Sequence, residues 1–150
     1  MQPADQTSER RAWMGELAKA SCDDLESAWD ALPEKPDWQW LRKPEIGLVM
    51  VRGRAGGTGG AFNLGEMTVT RCALTIEAGT TGYGYVASRN ARHAELAAVF
   101  DALLQSPRGT DLKKTLLEPL AESRLKNRRR KQAKAAATRV EFFTMVRGED

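Results

Sequence analysis

Ile46-Gly47-Leu48-Val49-Met50-Val51-Arg52-Gly53-Arg54 is the segment from which the architecture of this chain follows. Side chains alternate across an extended chain, so Leu48, Met50, Arg52 and Arg54 share one face and Val49 and Val51 the other. Apolar residues early on both faces predict an inner strand. Beyond it lies a loop carrying Gly53, Gly56, Gly57, Gly59, Gly60 and Gly65. Glu66–Ile76, rich in threonine and β-branched residues, predicts a second strand. Gly79 and Gly82 flank a turn into a third, Tyr83–Ser88. Links this short favour antiparallel pairing.

The flanks read as helices. On the N-terminal side, Thr7 or Ser8 can cap a helix bearing Trp13, Leu17 and Ala20 on one face. Ser21, with Asp24 three residues on, restarts the pattern as a weak capping box, followed by Cys22, Leu25, Trp29 and Leu32. Pro33 and Pro36 end that helix and open a linker on which Trp38 and Trp40 serve as covering aromatics. On the C-terminal side, Asn90 caps a helix whose Leu96, Val99, Phe100, Leu103 and Leu104 recur at helical spacing. Pro107 and Gly109 stop it. A further helical stretch bears Leu112, Leu116 and Leu117, and Pro119 fits the first turn of a fresh helix reaching about Ala137. Thr138–Val146 predicts a fourth strand, with Val140 and Phe142 on one face and Phe143 and Met145 on the other. The expected fold is α+β, in the order ααβββααβ, with four mainly antiparallel strands and helices packed on the sheet. The whole chain, residues 1–150, reads as a single domain.

With 150 residues, 41% hydrophobic and 29% charged, the chain has the composition of an ordinary globular domain. No apolar run approaches the roughly 18 residues of a membrane span. The polar stretch Met1–Arg11 predicts no secretory leader. Cys22 and Cys72 lack metal-binding spacing, and with one histidine they make no four-ligand zinc site; reduced thiols in a cytoplasmic protein are expected. The net charge of +3 conceals an asymmetry. Residues 123–140 hold eight basic side chains and no acid, while the remainder carries 15 basic and 20 acidic residues. Such a segment can attract nucleic acid, a phosphorylated substrate or an acidic protein partner, or form a solvated helix face. It has no interleaved aromatics for stacking on nucleic acid.

The loop Arg54-Ala55-Gly56-Gly57-Thr58-Gly59-Gly60 can form a nest of backbone N–H groups for an anion, or simply a wide connection between strands. It is neither a P-loop nor a dinucleotide fingerprint, because Gly-Lys-Ser/Thr is absent and a strand follows. Arg52, Arg54 and Arg71 bracket it and could clamp phosphate oxygens together. Arg92 and His93 lie in the first turn of the Asn90 helix, where free N–H groups favour an anion. A packed, hydrogen-bonded role for His93 competes with a catalytic one. Glu66 and Glu95 could each act as a base or be structural.

Several segments read together resemble a known family. They are Gly47–Val51, Arg54-Ala55-Gly56-Gly57-Thr58-Gly59, Phe62–Arg71, Gly84-Tyr85-Val86 with Arg89, His93-Ala94-Glu95, and Arg139–Gly148 containing Phe142-Phe143-Thr144-Met145-Val146. The chain is similar, over nearly its whole length, to the PhnG family, the G subunit of the carbon–phosphorus lyase system. The resemblance implies a role in phosphonate use. The G, H and I subunits, with an accessory ABC-type protein, form α-D-ribose 1-methylphosphonate 5-triphosphate from ATP and a phosphonate, releasing adenine. The J subunit, also part of the core complex, later cleaves the carbon–phosphorus bond. ATP is then a substrate of the complex, with no cofactor and no metal in this subunit. The resemblance carries over no catalytic residue. Arg52, Arg54, Gly56, Gly57, Thr58, Gly59, Arg71, Arg89, Arg92 and His93 remain candidates for anion binding or subunit docking. Where the family is expected to have Gly-Arg-Asp, this chain has Ser88-Arg89-Asn90, which keeps the helix cap but removes a carboxylate. A nucleic-acid-binding module and a stand-alone phosphate-handling enzyme are the alternative readings.

Overall fold

A computed structural model describes residues 3–77 and 79–137. The chain runs α1 (Pro3–Lys19), α2 (Cys22–Asp30), β1 (Trp38–Arg54), a 3-10 turn (Ala55–Gly57), β2 (Ala61–Ile76), β3 (Thr81–Val86), α3 (Ala91–Leu104), α4 (Gly109–Leu112), a π turn (Lys113–Leu117) and α5 (Glu118–Ala137).

Helix α3 forms where the sequence places it, and it is the centre of the core. Asn90 accepts a hydrogen bond from the His93 amide at 3.0 Å, closing the first turn. Leu96, Val99, Phe100, Leu103 and Leu104 are all buried. The helix lies directly on β3. A Cβ at Gly82 would stand 1.9 Å from the Ala98 carbonyl oxygen, and one at Gly84 the same distance from that of Ala94. Only glycine permits this approach. Thr70, Cys72, Leu74 and Ile76 of β2 face the helices, whereas Arg71, Tyr83 and Tyr85 remain exposed on the opposite face. Trp13 and Leu17 of α1 and Leu25 and Trp29 of α2 close the core, and Ser21 caps α2 by accepting from the Asp24 amide. The caps expected at Thr7 or Ser8 are replaced by a helix that already runs from Pro3.

Among the described residues the sheet has three antiparallel strands in the order β1-β2-β3, which corrects the expectation of four. The strand expected over 138–146 lies outside the described residues. The order ααβββααβ is also corrected after α3. Gly109–Ala137 is one uninterrupted helical stretch rather than two helices parted at Pro119. Proline lacks an N–H and its ring crowds the carbonyl four residues back. The wide turn at Lys113–Leu117, in which the Glu118 amide reaches back to the Lys113 carbonyl, precedes that point and lets the rod continue.

Among the described residues β1 is an edge strand, not an inner one, and it begins eight residues before Ile46. The supposed linker tryptophans belong to it. Trp38 packs edge-on against Trp29 at 5.7 Å between ring centroids and against Trp40 at 6.4 Å. β2 likewise begins at Ala61, before the expected Glu66. β3 meets β2 only at Thr70–Thr75. The far half of the β1–β2 hairpin therefore extends past the helical layer as a two-stranded arm. Ile46, Leu48, Met50, Phe62, Leu64 and Met67 are exposed there.

Candidate functional site

The glycine loop forms the tip of this arm. Gly56 and Gly57 adopt φ of 59° and 80°, the left-handed region in which a Cβ is penalised. The amides of Thr58 and Gly59 both donate to the Ala55 carbonyl, the latter at 2.9 Å. Arg54 Nη1 donates to the Gly59 carbonyl at 3.1 Å. Two of the amides that a nest would aim at an anion are thus turned inward to close the loop.

Arg52 and Arg54 emerge beside this tip, both exposed. Arg71 does not join them. Arg54 pairs with Ala61 across the hairpin and Arg71 with Glu45, so ten strand residues separate the two positions, about 30 Å. Arg71 Nε instead meets Glu45 Oε2 at 3.3 Å, and Arg42 reaches the same oxygen at 3.3 Å. Two guanidiniums thus share one carboxylate in a solvent-exposed cluster at the root of the arm, which keeps a net positive charge.

The candidates at the start of α3 divide in the same way. Arg89 is exposed on the β3–α3 connection. Arg92 grips Glu26 of α2 through two hydrogen bonds, at 2.8 and 3.1 Å, touches Glu95 at 3.3 Å and lies over the Trp29 ring. Its hydrogen bonds to Glu26 raise the guanidinium pKa, and the same contact holds the Glu26 carboxyl below its ordinary range. His93 is buried, and its Nε2 lies 3.1 Å from the Leu17 carbonyl. A carbonyl only accepts, so Nε2 carries the proton and the ring ties α3 to α1.

Asp101 is the polar residue the sequence reading passed over. It is fully buried within α3. Its carboxylate accepts from Arg10 Nε and Nη2 at 3.2 and 2.8 Å, from Trp13 Nε1 at 2.9 Å and from the Tyr83 amide at 3.0 Å. That contact raises the Arg10 pKa. An aspartate between Phe100 and Ala102 in an otherwise apolar helix was the available signal. Cys72 is buried, donates to the Ala94 carbonyl at 3.1 Å, and has its thiol pushed up to about 11 by burial. Such a thiol stays protonated and unreactive near neutrality. Among the described residues no group of three His, Cys, Asp or Glu side chains is placed to hold a metal ion.

The basic segment forms the exposed length of α5. Arg124 anchors it through two hydrogen bonds to Glu16 of α1, both at 2.7 Å. Lys126, Arg128, Arg129, Arg130 and Lys131 face solvent beyond it. No helix among the described residues is long and apolar enough to cross a membrane.

Residues 8–148 match the family described as phosphonate metabolism protein PhnG. The chain belongs to that family. It is also 47% identical over 143 residues to the alpha-D-ribose 1-methylphosphonate 5-triphosphate synthase subunit PhnG of Rhizobium meliloti (strain 1021), covering 95% of this chain and 92% of that protein. In this PhnG-family chain the Arg54–Gly59 motif is the arm tip and Ser88-Arg89-Asn90 is the cap of α3. The Arg139–Gly148 motif lies outside the described residues.

Proposed function

We infer that this chain is a subunit of an α-D-ribose 1-methylphosphonate 5-triphosphate synthase acting in phosphonate metabolism. The 47% identity to a named subunit, across nearly the full length of both chains, carries this reading. Its partners are the H, I and J subunits of the carbon–phosphorus lyase core, with an ABC-type protein engaged indirectly, in the cytoplasm. The assembly uses ATP. A phosphonate oxygen bonds to C1′ of the ribose, the bond to adenine breaks, adenine leaves with a proton and the triphosphate stays at the 5′ position.

Breaking that bond needs protonation of the leaving base and stabilisation of positive charge developing at C1′. In the described residues, the buried ionisable groups His93, Asp101 and Cys72 are each held by neighbouring elements of the fold. This supports placing the chemistry on a partner. The exposed Arg52, Arg54 and Arg89 and the glycine tip are then docking or polyanion-restraining elements. Chromatography of adenine released from ATP and methylphosphonate tests the reading. The expected result is no release by the purified chain and release once the partner subunits are added. Turnover by the chain alone, or a complete assembly that works equally well without it, would overturn the assignment.

A further inference from the structure

We propose that the open edge of β1 from Glu45 to Val51 receives an added strand from a different chain of the synthase, one presenting apolar side chains between acidic residues at both ends. The proposal rests on the subunit reading above. β1 hydrogen-bonds to β2 along one edge, and among the described residues no strand pairs with the other. Proteins commonly guard such edges with proline and bulges. Here the guard is confined to the ends. The register slips by one residue on β1 between Trp40 and Arg42 and again between Arg42 and Glu45, where Pro44 sits. It slips once more between Val51 and Arg52, through an extra residue on β2. From Glu45 opposite Arg71 to Val51 opposite Gly65 the ladder runs unbroken.

That regular stretch is also the apolar one. Ile46, Leu48 and Met50 are 58%, 60% and 53% exposed on one face, with Val49 and Val51 alternating onto the other. A two-stranded ribbon in water is marginal without a third strand or a cover. Addition of a strand supplies backbone partners to the edge and apolar neighbours to both faces at once. β2 offers a poorer edge in the arm, since its open part includes Asn63, Gly65 and Glu66 and the irregular register.

Charge selects the occupant. Arg42 and Lys43 stand at the root of the stretch and Arg52 and Arg54 at its tip, with Glu45 the one acid of β1. A second copy of this chain, paired antiparallel about Leu48, would set Arg54 opposite Arg42 and the two repel. An incoming strand with acids at its two ends meets cations at both.

Residue-resolved amide exchange on the isolated chain and on the complex co-produced with the H, I and J subunits tests this. Within Glu45–Val51 every second amide, the set not bonded to β2, is expected to slow by at least about tenfold in the complex. Leu48→Lys should leave the circular dichroism and melting of the isolated chain unchanged and lower recovery of complex by about tenfold or more. Unchanged exchange, protection of the arm without alternation, or full assembly of Leu48→Lys would overturn strand addition. A dimer of the isolated chain that Leu48→Lys dissolves would assign the edge to a second copy instead. Failure of the wild-type chain to join these subunits removes the subunit reading and this proposal with it. An assembled, active complex with an unprotected β1 edge removes this proposal alone.

Discussion

The two halves of the β1–β2 hairpin follow one alternating pattern and meet opposite fates. At the base, Leu74 and Ile76 point into a layer of helices and are buried, and Trp38 and Trp40 pack beside them. In the arm, Ile46, Leu48 and Met50 continue the same alternation with no helix of the described residues over them. The difference lies in what reaches them. α3 begins at Ala91, capped by Asn90, close to where β3 leaves β2 at Thr70. Beyond that point, among the described residues, neither a third strand nor a helix accompanies the ribbon. Burial is thus a property of the neighbour rather than of the strand, and the base is self-sufficient where the arm is not.

Truncations should separate the halves most widely. Phe100→Ala empties a fully buried site and should cost about 3–5 kcal/mol. Leu48→Ala should stay within about 0.5 kcal/mol. Urea denaturation of the isolated chain measures both, and comparable losses would mean that the arm is covered in the free protein. Gly84→Ala comes next. Its new methyl must displace the Ala94 carbonyl, an overpacking expected to cost about 1–3 kcal/mol or more, read as a lowered melting temperature.

A pH effect belongs to the base as well. Burial raises the Cys72 thiol from an ordinary 9 to about 11, so between those values the unfolded chain loses a proton that the folded chain keeps. The contribution is fully present below pH 9 and declines as pH rises toward 11. Stability measured across that interval should fall more steeply in the wild type than in Cys72→Ser, whose side chain does not titrate. Equal slopes would place the thiol in water. The smallest change is expected at the root of the arm. Arg71→Ala removes an exposed partner of Glu45 and should alter the stability of the free chain by less than about 1 kcal/mol. A larger loss in the melting of that variant would show that the cluster braces the hairpin.

The sequence disclosed what depends on local signals. Asn90 as a cap, the stripe from Leu96 to Leu104 and the Ser21 restart are set by neighbouring residues, and each appears in the structure. Antiparallel pairing followed from short connections. The strand limits and the edge position of β1 were not legible, because two-sided apolar character looks the same whether a cover comes from this chain or from another. Pro44 looked like a boundary, yet a bulge absorbs it. The three-arginine cluster failed on register, since the sequence does not say how far β2 runs before turning toward Arg71. The glycine tip was located correctly between strands, but its inward hydrogen bonds depend on dihedral angles that no composition reveals. Asp101 shows the opposite case. Its burial was hinted at by its apolar neighbours, but its partners lie in remote segments.

Those partners carry a consequence for how the chain is made. Arg10 and Trp13 stand 91 and 88 positions before the carboxylate that receives them. As synthesis proceeds from the N-terminus, the first helix lacks the greater part of its docking surface until α3 has emerged, and Trp13 and Leu17 stay largely uncovered meanwhile. A nascent chain halted before Ala91 should therefore engage chaperones and be open to proteases at α1. Release only a little beyond Leu104 should protect that helix abruptly rather than by degrees.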